Sequence, residues 1–159
     1  MCGIFGIIAK EEIYSKIILT PILEDLARYS QVRGKDSSGM AFKNNNKKSY
    51  DIIKGPVSVN KLLSTQEYKK IKYAFVKEIN NKKKLSYAVL GHARLVTNGT
   101  QLEDKNNQPI IKDGIIGIHN GIIVNVDTLW ENFSDLHREN EIDTEVAFSI
   151  FSKYLKENI

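Results

Sequence analysis

Cysteine is almost absent from the sequence, which has one, Cys2, among 159 residues. A single cysteine excludes an internal disulfide. No apolar run approaches the roughly 20 residues that a membrane-spanning helix needs. The N-terminus also lacks the basic flank and long apolar core of a signal peptide, because the short apolar stretch after Cys2 runs directly into AKEE. These absences predict a cytoplasmic protein that does not cross a membrane.

Positive charge is present but is not concentrated in one stripe. The formal net charge is +4, and the lysines are spread among asparagines, as in KNNNKKSYDIIK and INNKKKLSY. Such runs are typical of solvated loops and helix faces. No aromatic-plus-basic stretch and no zinc-ligand spacing accompany them, so the sequence disfavours a nucleic-acid-binding protein.

Internal repeats and interdomain linkers are also absent, which predicts one domain over residues 1–159 with a sizeable core. The patterning predicts helices interspersed with mostly antiparallel strand pairs, an α+β arrangement of sheets covered by helices. The predicted strands are CGIFGIIA, buried on both faces, then SGMAFKN paired with KSYDIIKG, LSYAVLGHARL and GIIGIHNGIIVN. Three helices are predicted. The first has Thr20 as its N-cap and Pro21 as its first helical residue, the second covers most of 60–84, and the third follows Asp143.

Cys2 stands directly behind the initiator methionine, where a small residue allows an aminopeptidase to remove Met1. Removal leaves a thiol and a free α-amine on the same residue. An α-amine ordinarily has a pKa of about 7.7–8.0, so it can accept the proton of the thiol without a histidine. Gly3 and Gly6 then allow close approach of the backbone. A terminal edge strand with incidental glycines and a merely buried cysteine explains this segment equally well.

Four further segments favour the catalytic interpretation of Cys2. Together with MCGIFG they resemble, in order and spacing, the glutaminase domain of class II glutamine amidotransferases, which are N-terminal nucleophile hydrolases. The resemblance covers nearly the whole chain and is strongest to the glutaminase domain of glucosamine-6-phosphate synthase. The segments are RGKDSSG at 33–39, GHARLVTNG at 91–99, HNGIIVN at 119–125 and DTE at 143–145.

The resemblance implies a reaction and the residues that carry it. Cys2 attacks the side-chain amide of L-glutamine, its α-amine takes the proton, and a thioester forms and is hydrolysed to glutamate. Asn120 and Gly121 donate N–H groups to the oxyanion. The ammonia is passed to a synthase domain or subunit. No metal and no organic cofactor is needed.

The resemblance also implies how both charged ends of glutamine are held. Arg94 binds the carboxylate with its planar fork, and Asp143 holds the ammonium. Thr97 and Asn98 make further substrate contacts. Taken singly, Arg94 could form a surface ion pair and Asp143 could be an N-cap, but their joint occurrence weakens those alternatives.

Two histidines and one segment receive supporting roles. His92 and His119 are expected to be packed or satisfied, since the mechanism already has its base. The 33–39 segment is expected to support the nucleophile from beneath, with Arg33 and Asp36 in internal pairs.

The family further implies a fold and points to two departures. The implied fold is a four-layer α/β/β/α sandwich with two mostly antiparallel sheets. Leu95 stands where the aminosugar branch has tryptophan, and Asn98 stands where it has histidine. The glutaminase domain usually continues through several more strands after the DTE helix, so we expect the domain over 1–159 to be incomplete at its C-terminus.

Two other functions stay open at this point. The chain could be a non-catalytic regulatory or interaction module that keeps the glutaminase fold. It could also be a different amide hydrolase on the same fold, which would use Cys2 but have no reason for the pair of Arg94 and Asp143.

Overall fold

The computed structural model describes residues 2–9, 16–81, 86–95 and 102–157, with the backbone alone at 16–19, 81 and 104. It is an α+β structure with two antiparallel sheets, which confirms the predicted class at that level. In chain order the elements are β1 (Gly3–Ala9), α1 (Lys16–Ser30), β2 (Ser37–Asn44), β3 (Asp51–Gly55), α2 (Val59–Ser64), α3 (Gln66–Asn81), β4 (Tyr87–Arg94), β5 (Ile110–Lys112), β6 (Ile115–Gly117), α4 (Val126–Asn132) and α5 (Thr144–Glu157).

The larger sheet has four antiparallel strands in the order β1-β4-β2-β3. Its pairing of β2 with β3 confirms the hairpin predicted across the polar turn. Gly3 lies opposite Ala93, and Ser37 lies opposite Arg94. The start of β1, the end of β4 and the start of β2 therefore meet at one end of the sheet.

One face of this sheet is covered by α1, α2 and α3 and forms the apolar core. Phe75 on α3 makes edge-on ring contacts with Phe42 and Tyr87, at centroid distances of 5.3 and 5.5 Å. Burying a large apolar side chain in this way stabilises the fold by about 1.5–3 kcal/mol. The core comprises Phe5, Leu23, Ala27, Met40, Phe42, Ile53, Val59, Leu62, Leu63, Tyr68, Phe75, Ile79, Val89 and Ala93.

Strand β1 is buried on one face only, so the prediction that both of its faces are buried is wrong. Phe5 and Ala9 point into the core, whereas Ile4 is 48% and Ile8 84% exposed. The reason is position, because β1 lies at the edge of the described sheet and α1 to α3 cover the opposite face. An apolar run cannot tell one covered face from two.

Helix α1 begins earlier than the sequence predicts, since Lys16 is already helical and Pro21 lies inside the helix. The apolar residues 17–19 extend the helical pattern toward the N-terminus. The strand predicted over GIIGIHNGIIVN is also shorter, since β6 ends at Gly117. After it, the backbone of His119 is hydrogen-bonded by the side chain of Gln108 instead of by another strand.

The smaller sheet is the hairpin of β5 and β6, closed by a two-residue turn. Asp113 and Gly114 both have positive φ, 49° and 86°, as the tight turns that match strand twist require. On α5, Ser149 donates to the carboxylate of Asp113 at 2.9 Å and Ser152 to its carbonyl at 2.6 Å. These bonds hold α5 on the hairpin, and α5 confirms the helix predicted after Asp143.

Across the described ranges, none of the helices is both long enough and apolar enough to cross a membrane.

Candidate active site

Cys2 and Asn120 are 118 residues apart in the chain and are joined by two hydrogen bonds. The nitrogen of Cys2 donates to Oδ1 of Asn120 at 3.2 Å, and Nδ2 of Asn120 donates to the carbonyl of Cys2 at 3.0 Å. The two bonds fix the plane of the Asn120 amide. An amide nitrogen carries two hydrogens, so Nδ2 has a second N–H beyond the one given to Cys2.

The sulfur of Cys2 lies against the backbone of Leu95, directly after β4. Sγ accepts from the amide of Leu95 at 3.4 Å and donates to its carbonyl at 3.5 Å. The pairing of β1 with β4 produces this contact, because it brings Gly3 opposite Ala93. The thiol is half-buried, so a small substrate can reach it.

Gly34 and Asp36 pack against the end of β4 that contacts Cys2. The amide of Asp36 donates to the carbonyl of Arg94 at 3.0 Å. A Cβ at Gly34 would lie 2.3 Å from the carbonyl carbon of Arg94, so only glycine allows this approach. The segment therefore supports the backbone beside the nucleophile, as the sequence predicts.

Arg94 ends β4 and is 4% exposed. Its Nη1 donates to the carbonyl of Asn106 at 2.7 Å and to Oδ1 of Asn107 at 3.4 Å. Burial lowers the pKa of Arg94, while the nearby Cys2, Asp143 and Asp36 raise it. An arginine stays protonated even so. The site thus holds a positive charge near Cys2 and near the carboxylate of Asp143.

Asp143 is buried immediately before α5. One of its oxygens accepts the amide N–H of Ile123 at 2.7 Å, and the other accepts from the hydroxyl of Thr144 at 3.3 Å. The carboxylate therefore binds the HNGII loop to the start of α5. The structure brings Asp143 to the same region as Cys2, Arg94 and Asn120.

Gly121 follows Asn120 and lies against the ring of His119. A Cβ at Gly121 would be 2.6 Å from Nε2 of His119. The other ring nitrogen of His119 lies 3.2 Å from the hydroxyl of Thr144. His119 is thus a satisfied histidine, as predicted, and a side chain at Gly121 would require the ring of His119 to move.

His92 on β4 is packed, but among the described residues neither of its ring nitrogens has a hydrogen-bond partner. It is fully buried. Burial, with smaller effects from Arg94 and His119, lowers the pKa of His92 to about 4. His92 is therefore neutral at pH 7, and it is packed, as the prediction of a packed or satisfied histidine allows.

Sequence reasoning missed the buried polar segment 106–109. Asn106, Asn107 and Gln108 are at most 5% exposed. Gln108 binds the backbone of His119, and Asn106 exchanges hydrogen bonds with Glu141 through its side chain. In the sequence the polar run Asn106 to Gln108 is typical of an exposed loop, and only Pro109 after it indicates a fixed conformation. Thr97 and Asn98, the two remaining predicted site residues, lie outside the described residues.

Glu145 has a structural role within the DTE segment. It is fully buried, and its carboxylate accepts the amides of Glu139 at 2.9 Å and Asn140 at 2.7 Å. It also pairs with the buried ammonium of Lys112 at 3.3 Å. These contacts fix the loop that leads into Asp143.

No family model matches the chain, but curated proteins do. It is 31% identical over 163 residues to glutamine–fructose-6-phosphate aminotransferase (isomerizing) of Sulfolobus acidocaldarius, covering 98% of this chain and 24% of the relative. The enzyme of the same name from Wigglesworthia glossinidia brevipalpis is 34% identical over 92% of the chain and 21% of its own length. That of Agrobacterium fabrum is 27% identical, over 100% and 23%.

The chain spans about a quarter of the length of these relatives. Within that part the matches cover 92–100% of this chain. The comparisons thereby confirm the resemblance to the glutaminase domain of class II glutamine amidotransferases, over nearly the full length of the chain.

Proposed function

We propose that the chain hydrolyses the side-chain amide of L-glutamine and releases glutamate and ammonia. The observation that carries the proposal is the direct contact of Cys2 with Asn120 across 118 residues of chain. It places the only cysteine of the sequence beside an amide donor, at a site that also holds Arg94 and Asp143. The names of the relatives, glutamine-dependent aminotransferases, favour the same substrate.

Removal of Met1 turns the nitrogen of Cys2 into a free α-amine, held beside the thiol by Oδ1 of Asn120. Sγ gives its proton to this amine and attacks the amide carbon of glutamine. The negative charge moves to the amide oxygen, where the second N–H of Asn120 and the amide of Gly121 stabilise it. The ammonium of Cys2 then protonates the leaving nitrogen, and ammonia departs. Water attacks the thioester, the sulfur leaves, and glutamate is released.

The charged ends of glutamine are assigned to the two charged side chains of the site. The guanidinium of Arg94 binds the α-carboxylate, and the carboxylate of Asp143 binds the α-ammonium. Thr97 and Asn98 are proposed to add substrate contacts. A general amidase would need neither charge, so this pair is what favours a free amino acid as the substrate.

The complete domain is proposed to be the four-layer α/β/β/α sandwich of the N-terminal nucleophile hydrolases, with the two antiparallel sheets at its centre. Its ammonia is proposed to serve a synthase domain or subunit, since free glutamine hydrolysis has no evident further product. Co-purification from the native source, followed by glutaminase assays with and without the bound protein, tests this. Full turnover by the chain alone would contradict the need for a partner.

The nucleophile is tested with untagged protein whose N-terminus is defined by intact mass. Protein that begins at Cys2 should release glutamate from glutamine, and a diazoketone analogue of glutamine should add once. Cys2→Ala should abolish both, while its free energy of unfolding changes little because the thiol is only half-buried.

Three results would count against the proposal. Labelling that persists in Cys2→Ala would exclude Cys2 as the nucleophile. Glutamate release by protein that keeps Met1 would exclude the amine as the base. Protein that begins at Cys2 and binds glutamine without hydrolysing it would be a non-catalytic module.

A further inference from the structure

Gln108 holds the backbone of His119 with both ends of its side-chain amide. Its Oε1 accepts the N–H of His119 at 2.7 Å, and its Nε2 donates to the carbonyl of the same residue at 2.9 Å. This is the pattern with which a neighbouring strand would bind one residue of a ladder. Gln108 is 5% exposed, so water competes little for either bond.

The two bonds fix the peptide groups on both sides of His119. The carbonyl of His119 belongs to the peptide that leads into Asn120, so its direction sets the position of the Asn120 Cα and side chain. The next peptide carries the N–H of Gly121. Gln108 therefore orients both proposed oxyanion donors without reaching the substrate itself.

The segment 106–109 that carries Gln108 is held by three strands of the larger sheet. Lys54 on β3 donates to the carbonyls of Asn107 at 2.8 Å and Pro109 at 3.2 Å. Gly39 on β2 approaches so closely that a Cβ there would be 2.3 Å from the carbonyl oxygen of Gln108. Arg94 on β4 donates to the carbonyl of Asn106. The sheet that carries Cys2 thus fixes the segment that carries Gln108.

We propose that Gln108 is a positioning residue for the oxyanion donors, linking the sheet of the nucleophile to the loop of Asn120 and Gly121. This rests on the proposed glutamine hydrolysis. The chemistry requires glutamine at this position. A glutamate could still accept the N–H of His119, but its second oxygen would repel the carbonyl oxygen of His119. A methionine has a similar length and would form neither hydrogen bond.

The experiment compares Gln108→Glu and Gln108→Met with the wild type in the intact protein. A displacement of catalytic groups by about 1 Å costs on the order of 10²-fold in rate. We expect kcat to fall by roughly that factor in both variants, with an unchanged KM for glutamine. In Gln108→Met, which loses the bond to the N–H of His119, we also expect faster amide hydrogen exchange at His119 than in the wild type or in Gln108→Glu.

Gln31→Met is the matched control, because the side chain of Gln31 also binds a backbone amide, that of Asn60 on α2 at 2.9 Å, and not the backbone beside the proposed oxyanion donors. It should keep the wild-type kcat. If either Gln108 variant folds and keeps the wild-type kcat, or raises KM alone, the positioning role is overturned and glutamine hydrolysis stands. Wild-type protein that begins at Cys2 and releases no glutamate overturns the proposed function and this role together.

Discussion

The helix-covered face of the larger sheet and the end of that sheet near Cys2 are held together by different interactions. The face under α1 to α3 is an apolar cluster around Phe42 and Phe75, with two edge-on ring contacts. The end of the sheet near Cys2 is a buried polar network, in which Arg94 and Gln108 bind backbone groups of other segments. The apolar face therefore provides stability, whereas the polar end fixes the directions of the groups at the candidate site.

The largest expected loss of stability comes from removing a ring from the apolar face. Phe75→Ala should lower the free energy of unfolding by about 3–5 kcal/mol, because it leaves a cavity between Phe42 and Tyr87. Its kcat should stay close to the wild-type value below the new melting temperature. Denaturant unfolding and steady-state assays measure the two effects.

Phe151→Ala is the control for that variant, since Phe151 is 54% exposed on α5. A surface substitution of this kind should change stability by no more than about 0.5 kcal/mol. If the kcat of Phe75→Ala fell well below the wild-type value at temperatures where the variant is folded, the apolar face would affect activity as well as stability.

Asn120→Ala should reduce activity and leave stability largely unchanged, the opposite of Phe75→Ala. It removes one oxyanion donor, so kcat should fall by roughly two to three powers of ten. Stability should change less than in Phe75→Ala, because Asn120 is exposed. Asn125→Ala is the matched control, since Asn125 is also exposed and its side chain forms no cap bond to α4. Equal losses of kcat in both variants would remove Asn120 from the mechanism.

His92 should make stability depend on pH, because it is a buried polar group without a hydrogen-bond partner among the described residues. Its folded pKa of about 4 lies below the ordinary value of 6.5, so the unfolded chain binds more protons between these values. Stability should therefore fall as the pH drops from 6.5 to 4, by about 3 kcal/mol from this group.

His92→Leu should remove that part of the pH dependence and should cost little stability at pH 7, where an unpaired ring is replaced by an apolar group. The exposed His137 provides the control, His137→Leu. Unfolding free energies measured at several pH values distinguish the two variants. An unchanged slope in His92→Leu would show that His92 is not buried as a neutral group.

The smallest expected effects come from substituting the two residues that are proposed to bind the charged ends of glutamine. Arg94→Lys keeps the charge and loses the planar fork, and Asp143→Asn loses the charge. Each should raise KM for glutamine by roughly ten- to a hundredfold, the value of a hydrogen bond to a charged group. Arg28→Lys and Asp127→Asn are exposed controls. If KM were unchanged in both site variants, glutamine would not be held as a free amino acid.

Apolar periodicity predicted much of the fold. It located the pairing of β2 with β3, strand β4 and helix α5, because each carries an apolar pattern that only one period fits. It failed at β1, where Ile4 and Ile8 are exposed, because burial of a second face depends on what packs there. Periodicity also did not predict that β6 ends at Gly117, because the backbone of His119 is hydrogen-bonded by the side chain of Gln108 instead of by a strand.

Motif resemblance named the candidate site residues, whose roles stay predictions, and gave no sign of the residues at 106–109 that support them. Cys2, Arg94, Asn120 and Asp143 lie in segments whose order is distinctive, and the structure brings them together. Gln108 lies in a polar run that resembles any solvated loop. Its burial arises from partners elsewhere in the chain, and one sequence carries no signal of such pairings.

Among the strands that the structure describes, the outer edge of β1 has no pairing strand, which has a consequence for the behaviour of the protein in solution. Gly3–Ala9 contains no charge and no proline, and it combines a strand conformation with exposed Ile4 and Ile8. Segments of this kind can pair edge to edge between molecules. Losses during concentration would then arise from association of folded molecules through the strand that begins next to the nucleophile, and a lysine at position 8 would act as a gatekeeper against it.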